Sequence, residues 1–185
     1  MSSPHQGDAG SDVASLVAAN LRDVADFPQP GIVFKDITPL LADRQAFASV
    51  IAAMAGFGRA SGPVDVVAGV EARGFLVAGA LARELDCGLV PVRKAGKLPP
   101  PTVRRVYELE YGTAEIEVPV HVLEGRRVLL VDDVLATGGT MRAALDLVTA
   151  AGGTVVGLSV LMELGFLDGR AQLAGPAAVH SLLRI

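Results

Sequence analysis

Cysteine is almost missing from this chain. The single Cys87 excludes an internal disulfide and any cysteine zinc cluster, and its place between a helical stretch and Gly88 reads as a small apolar core filler. Histidine is sparse as well. His5, His121 and His180 are scattered, without helical pairing or a serine elbow, so neither a hydrolase triad nor a zincin motif can be assembled. No Gly-Lys-Ser/Thr forms a Walker A loop, and no G-x-G-x-x-G follows the first strand, which sets aside a Rossmann dehydrogenase. A long apolar run is also lacking, although 51% of residues are hydrophobic and mean hydropathy is +0.46. The most apolar stretch, Thr154 to Leu167, is interrupted by Ser159, Glu163 and two glycines, short of a clean membrane span. The opening MSSPHQGDAGSD has neither a basic nor an apolar signal region, so no secretory signal and a cytoplasmic location are expected.

What is present suits one α/β domain. A chain of 185 residues is long enough to bury a proper core. Abundant Ala, Val, Leu and Gly with 4% aromatics fits parallel strands and small-residue helices. The net charge of −4 argues against general nucleic-acid affinity. One short segment breaks the acidic balance: Arg93, Lys94, Lys97, Arg104 and Arg105 fall in a stretch without acids. A local basic segment on an acidic protein suits a small polyanion better than a duplex.

Read along the chain, residues 1–11 are polar and are expected to form a disordered tail ahead of a single domain, 12–185. Asp12 can cap a first helix with Val13, Leu16, Val17 and Leu21 at helical spacing. Of the three prolines in Asp26 to Leu41, the two just ahead of Gly31 forbid regular helix near its front, and a turn at Asp36 to Pro39 leads to a helix over about 44–54. Strands are predicted at 64–70, 89–93, 127–131 and 155–162, with helices at 74–85 and 140–150, an alternation that argues for a mainly parallel sheet flanked by helices. The segment 95–113 is long, proline-rich and basic. The alternation Ala114–Val118 after it predicts a half-exposed antiparallel strand, and the segment itself a flap or hairpin.

The most informative stretch is Val128 to Thr140, VLLVDDVLATGGT. An apolar run suits a central strand buried on both faces. Asp132 and Asp133 are placed where that strand ends and its loop begins, the usual ligand position in open α/β sheets. Gly138 and Gly139 allow backbone amides to approach an anion, Thr137 and Thr140 add hydroxyls, and a following helix points its positive end at the same spot. Acids ahead of an anion cradle suit a sugar phosphate, with hydroxyls to the carboxylates and phosphate to the loop.

This segment resembles the phosphoribosyl-pyrophosphate (PRPP) signature of type I phosphoribosyltransferases, in the form found in the adenine phosphoribosyltransferases. FPQPGIVFKDITPLL, GVEARGFLVAGALA, PVRKAGKLP, YELEYG and MELGFLDGR match the same family in order, spanning Phe27 to about Arg170. The resemblance implies a type I phosphoribosyltransferase fold with a hood at about 26–41 and a flexible flap at about 95–113. It implies conversion of adenine and PRPP to AMP and pyrophosphate, in purine salvage, with Mg²⁺ held mainly by PRPP and water rather than by a confidently assigned protein ligand. Val33 and Lys35 would read the purine edge through backbone groups, with Phe34 beside the base. Glu71, Ala72 and Arg73 would belong to the pyrophosphate site, and Arg93, Lys94 and Lys97 would be candidates for further pyrophosphate contacts. Glu110 would handle a purine proton, with Tyr111 beside it and Glu108 as the alternative on the same strand face. Asp132 and Asp133 would hold the ribose hydroxyls, and Ala136, Thr137, Gly138, Gly139 and Thr140 the 5′-phosphate. Residues near the flap of one subunit approach the other subunit's site in similar enzymes, which implies a homodimer. Two other readings stay open: transfer to another purine, or a non-catalytic PRPP-sensing regulator. The latter usually carries an N-terminal DNA-binding domain, for which about twenty-five residues ahead of the hood are too few.

Overall fold

The computed structural model describes residues 8–109, 112–173, 175 and 177–185. The chain opens with helix α1 (Asp8–Ala19), then a hairpin of β1 (Arg22–Ala25) and β2 (Val33–Asp36). Helices α2 (Thr38–Ala42) and α3 (Arg44–Ala60) follow, with β3 (Val66–Val70), α4 (Gly74–Glu84) and β4 (Gly88–Lys94) after them. A second hairpin joins β5 (Thr102–Leu109) to β6 (Gly112–Pro119). The chain closes with β7 (Arg127–Leu135), α5 (Gly139–Ala150), β8 (Thr154–Glu163), two 3-10 turns (Gly165–Leu167 and Gly169–Leu173) and β9 (Ala178–Arg184).

Seven strands form the main sheet in the order β5-β6-β4-β3-β7-β8-β9. The five from β4 to β9 run parallel, and the flap hairpin is added antiparallel through Arg93 and Lys94 opposite Glu117 and Ile116. Alternation along the central strands sorts side chains to the two faces. Val66, Ala68, Val128 and Leu130 point toward α5, where they meet Met141, Ala144, Leu147 and Val148. Val67, Leu129, Val131 and Leu161 point toward α3 and α4, meeting Met54, Val77, Ala78 and Leu81. Each central strand is therefore apolar throughout, as a strand covered on both sides must be. Cys87 is half-buried against the second of these clusters, and burial pushes its thiol up from the ordinary value.

The main elements lie where patterning placed them, with differences that have physical causes. Helix α1 begins at Asp8, four residues ahead of the expected cap at Asp12. The hood contains a two-stranded hairpin that the sequence pattern did not indicate. Its proline-rich connection, 26–32, is closed by Phe27 N–H to Ile32 O and by the Asp26 carboxylate accepting from Gly31 N–H. Asp43 caps α3 by accepting from the Gln45 and Ala46 N–H groups, and the helix runs to Ala60 rather than Met54. The edge strand β9 was not anticipated. The main correction concerns β7, which does not end at Val131. It continues through both acids to Leu135, because β8 goes on pairing with it (Asp132 opposite Val160, Leu135 opposite Glu163) after β3 has stopped at Val131. The acids thus stand on an overhang supported from one side, which opens the other side to a ligand.

The overhang depends on α4 lying close to β3. Gly69 makes that possible: a Cβ there would stand 2.5 Å from the Ala78 Cβ. Gly69→Ala should destabilise the fold by about 1–3 kcal/mol through overpacking. Gly79, in the same helix, meets nothing closer than 4.0 Å, so Gly79→Ala should be neutral or stabilising by up to about 1 kcal/mol. Thermal denaturation of the two variants checks the contrast, and equal effects would refute it.

Candidate active site

Two loops and the flap hairpin meet at the C-terminal ends of β3 and β7. They enclose a cleft of about 550 Å³ lined by Glu71, Ala72, Arg73, Lys94, Tyr107, Ala114, Glu115, Asp132, Asp133, Val134 and Thr140. A smaller hollow of about 130 Å³ adjoins it, sharing Asp132, Val134 and Thr140 and adding Ala136, Thr137 and Gly138.

The paired acids are its electrostatic centre. Asp133 is only 3% exposed. Its N–H donates to Asp132 Oδ1 at 2.8 Å, and its Oδ2 lies 2.9 Å from Arg73 Nη2. The Arg73 contact is ionic and out of line for a hydrogen bond, so buried Oδ2 has no hydrogen-bond partner among the described residues. Burial raises the pKa of both carboxyls. Asp132 is raised far, because burial is reinforced by the charge of Asp133. For Asp133 the same burial is partly opposed by the Arg73 charge. An unpartnered oxygen on a buried carboxylate is an acceptor waiting for a donor. A ribose hydroxyl fits, as does water bound to a hard divalent cation, since carboxylate oxygens are the donors such cations prefer. Among the described residues no three or more His, Cys, Asp or Glu side chains cluster to hold a metal ion. A cation here would therefore complete its shell with substrate oxygens and water.

Arg73 caps α4 and joins the hood to this centre. Its Nη1 donates to Lys35 O at 3.2 Å, and its guanidinium lies 4.8 Å from the centre of the Phe34 ring. Phe27 meets the same ring edge-on at 5.1 Å, while Lys35 Nζ pairs outward with Asp23. Phe34 and Lys35 are thus tied to the cleft by one arginine, although neither they nor Val33 line it. The Glu71–Ala72 peptide is cis. Glu71 accepts from Lys94 N–H at 2.7 Å and Arg93 Nε at 3.1 Å. Burial alone would raise the Glu71 carboxyl, but these donors outweigh it and hold the pKa below its ordinary value.

At the anion loop, Gly138 has φ +89° and precedes the first turn of α5. That left-handed geometry, which glycine adopts without steric cost, turns the chain so that the N-terminus of α5 faces the hollow.

The expected site residues divide clearly. Glu71, Ala72, Arg73, Lys94, Asp132, Asp133, Ala136, Thr137, Gly138 and Thr140 line the two hollows, and Gly139 opens α5 beside them. Arg93 does not line the cleft. Its charge is taken up by Glu71, and it lies 5.6 Å from the Phe75 ring centre. Lys97 is exposed and also stands outside the lining, although its N–H donates to Glu117. Glu110 and Tyr111 lie outside the described residues. Tyr107, Ala114 and Glu115 enter the cleft without having been singled out. Tyr107 belongs to the YELEYG motif, and its hydroxyl is 3.5 Å from Thr140 Oγ1. Its pairing with Ala114 across the hairpin, a register no single strand reveals, brings it there. Glu117, fully buried, was also missed. It accepts from Lys97 N–H, Leu98 N–H and Thr102 Oγ1, and lies 3.1 Å from Arg104, so it secures the root of the flap.

Comparison with known proteins agrees with this geometry. The phosphoribosyl transferase domain family matches residues 40–176. An adenine phosphoribosyltransferase of Kineococcus radiotolerans is 59% identical over 162 residues, 87% of each chain. The crystal structure of an adenine phosphoribosyltransferase from Rhodothermus marinus superposes with a TM-score of 0.89 at 45% identity, covering 95% of this chain and 99% of that one. The Saccharomyces cerevisiae enzyme, complexed with an imino-altritol bisphosphate and adenine, superposes at 0.86 with 36% identity, covering 93% and 99%. An acid pair between a cleft and an adjoining anion loop, with the hood tied to it through Arg73, together with this degree of likeness, shows that the chain belongs to the phosphoribosyltransferase family, in its adenine phosphoribosyltransferase branch.

Proposed function

We propose that this protein is a pentosyltransferase of purine salvage that moves the phosphoribosyl group of PRPP onto adenine, giving AMP and pyrophosphate. The observation that carries the reading is the pair of adjoining hollows in which half-buried Asp132 and buried Asp133 stand beside the Ala136–Thr140 loop, with the hood reached through Arg73. The yeast relative's complex with adenine supports the choice of base.

The 5′-phosphate takes the smaller hollow, where the loop amides, Thr137 and Thr140 donate to it and the α5 N-terminus adds favourable potential. The ribose hydroxyls donate to the carboxylates of Asp132 and Asp133. The two carboxylates then favour the positive charge that grows at ribose C1 as pyrophosphate leaves. Pyrophosphate lies against the Glu71–Arg73 loop and Lys94. Asp132 and Asp133 would hold Mg²⁺ through water and substrate oxygens, and the ion would there neutralise charge on the leaving group. Adenine lies in the hood beside Phe34, with backbone groups of Val33 and Lys35 reading its edge, and its N9 attacks C1 while Glu110 manages the proton at N7. Tyr107, against Thr140, helps the flap exclude water, which would otherwise compete for C1. Most of the acceleration comes from positioning and preorganised charge.

A homodimer in the cytoplasm completes the reading. Exposed Lys97, outside the lining of its own cleft, accords with a role in a partner's site, and among the described residues no helix is long and apolar enough to cross a membrane.

Pyrophosphate release from PRPP and Mg²⁺ should occur with adenine and not with hypoxanthine, guanine or xanthine offered separately. Release with another base would overturn the hood reading, and PRPP binding without any release would favour a regulator. Asp133→Asn should lower kcat/KM by on the order of 10²-fold, the scale of removing one preorganised electrostatic contact; near-normal kcat/KM would remove the ribose role.

The acid pair also predicts a stability cost. Burial raises the folded pKa of Asp132 above its unfolded value. Stability therefore falls as pH rises from about 3.9, the unfolded value, toward the folded one, and the cost is complete above that. Asp132→Asn removes the cost and keeps an Oδ1 acceptor for Asp133 N–H. Its Tm at pH 7.5 should exceed that of the parent, by roughly 2–4 °C per kcal/mol relieved, with the gain fading near pH 4 and with activity reduced. A Tm equal to or below the parent's at pH 7.5 would count against the assigned charge penalty.

A further inference from the structure

Glu163 is a buried carboxylate that the reaction does not use. It ends β8, opposite Leu135 of β7, the last residue before the anion loop, and Leu164 N–H donates to Leu135 O at 2.9 Å. The side chain is 1% exposed and heavily engaged. Arg170 Nε donates to both oxygens at 3.1 and 3.2 Å, Arg170 Nη2 donates to Oε2, Ser181 Oγ donates at 2.9 Å, and Arg184 Nε lies 3.6 Å away. Arg170 also donates to Val179 O and Ser181 Oγ on β9. A guanidinium so committed on several edges can hold only one pose, which lysine cannot reproduce.

Beside Arg170, Gly169 touches the anion loop. A Cβ on Gly169 would overlap Ala136 O and stand 2.8 Å from Gly138 N, and a Cβ on Gly138 would overlap Gly169 O. Two backbones meet here without side chains between them. Leu173, buried at the end of the same turn, packs into the cluster beneath α5. The turn that Arg170 anchors is thus the floor of the loop that receives phosphate.

We propose that Arg170 is a positioning residue: locked onto Glu163, it holds Gly169 against Ala136–Gly138 and so sets the aim of the loop amides at the substrate's 5′-phosphate. The inference rests on the function assigned above. Its consequence is selective. Loosening Arg170 weakens the phosphate end of the substrate and leaves the pyrophosphate loop, on the far side of Asp132 and Asp133, as it was.

The test measures binding of ribose 5-phosphate and of pyrophosphate with Mg²⁺ by calorimetry, and steady-state kinetics, for the parent, Arg170→Lys and Gly169→Ala. Both variants should bind ribose 5-phosphate about tenfold more weakly, a modest share of what an ångström of misplacement can cost. Pyrophosphate affinity should be unchanged, and KM for PRPP should rise by more than kcat falls. Far-UV circular dichroism identifies a variant that has not folded. Gly169→Ala checks the loop contact by itself, and Glu163→Gln, which keeps the side chain's shape but removes the charge that locks Arg170, decides the matter by the same two affinities if Arg170→Lys fails to fold. Unchanged ribose 5-phosphate affinity in a folded variant, or equal weakening of both ligands, overturns the inference. A parent protein that binds neither ligand overturns the assigned function itself.

Discussion

Two neighbouring carboxylates held below the surface at the end of β7 are the constraint on which the rest of this structure turns. Ionised acids side by side, away from water, are unfavourable, and the fold surrounds them with the means of tolerating it. Arg73 places one charge against Asp133, the Asp133 N–H serves Asp132, and the Asp133 oxygen facing Arg73 has no hydrogen-bond donor of its own among the described residues. A site that binds hydroxyls and stabilises a forming cation needs such an unsatisfied acceptor. Its cost is carried by the covered sheet behind it.

The same constraint organises the surroundings. Because Arg73 must reach Asp133, α4 has to start beside the end of β7. Gly74 meets that need, since a Cβ there would stand 2.8 Å from Asp132 Oδ1. Having reached the acid, the guanidinium spends its other edge on Lys35 O and its face on Phe34, so the hood is coupled to the ribose acids by one side chain. To either side of β7 in the sheet, Glu117 on β6 and Glu163 on β8 act as buried organisers. Each collects several donors from a loop that borders the cleft, Glu117 at the flap root and Glu163 at the turn beneath the anion loop. In both, burial pushes the carboxyl up and the donors more than offset it, leaving the pKa below the ordinary value. A satisfied carboxylate of this kind rigidifies, whereas Asp133 is left reactive.

Legibility followed the range of the interactions involved. The apolar runs of β3, β7 and β8 and the small-residue face of α4 record burial on both sides of a sheet, which is a local composition signal, and these elements lie close to where they were expected. The hood hairpin and β9 were invisible because their pairing is decided by partners. Polar, short strands such as Arg22–Ala25 acquire their state only from the strand opposite. The overhang of β7 was missed for the same reason. Asp132 and Asp133 look like the end of a strand, and only β8 continuing to Glu163 keeps them in one.

The sequence by itself determined the chemistry available: adjacent acids, a glycine-rich loop ahead of a helix, a local basic segment and an apolar scaffold able to bury them, in an order that identified the family. Those are properties of residue type and spacing, and they survive without coordinates. Only the tertiary structure decided which of these groups share a cleft. It turned Arg93 toward Glu71 and left Lys97 outside the lining, brought Tyr107 to Thr140, and set Gly169 under Gly138. Each of these outcomes depends on segments far apart in the chain, and geometry across such distances is fixed by packing, to which local spacing is blind.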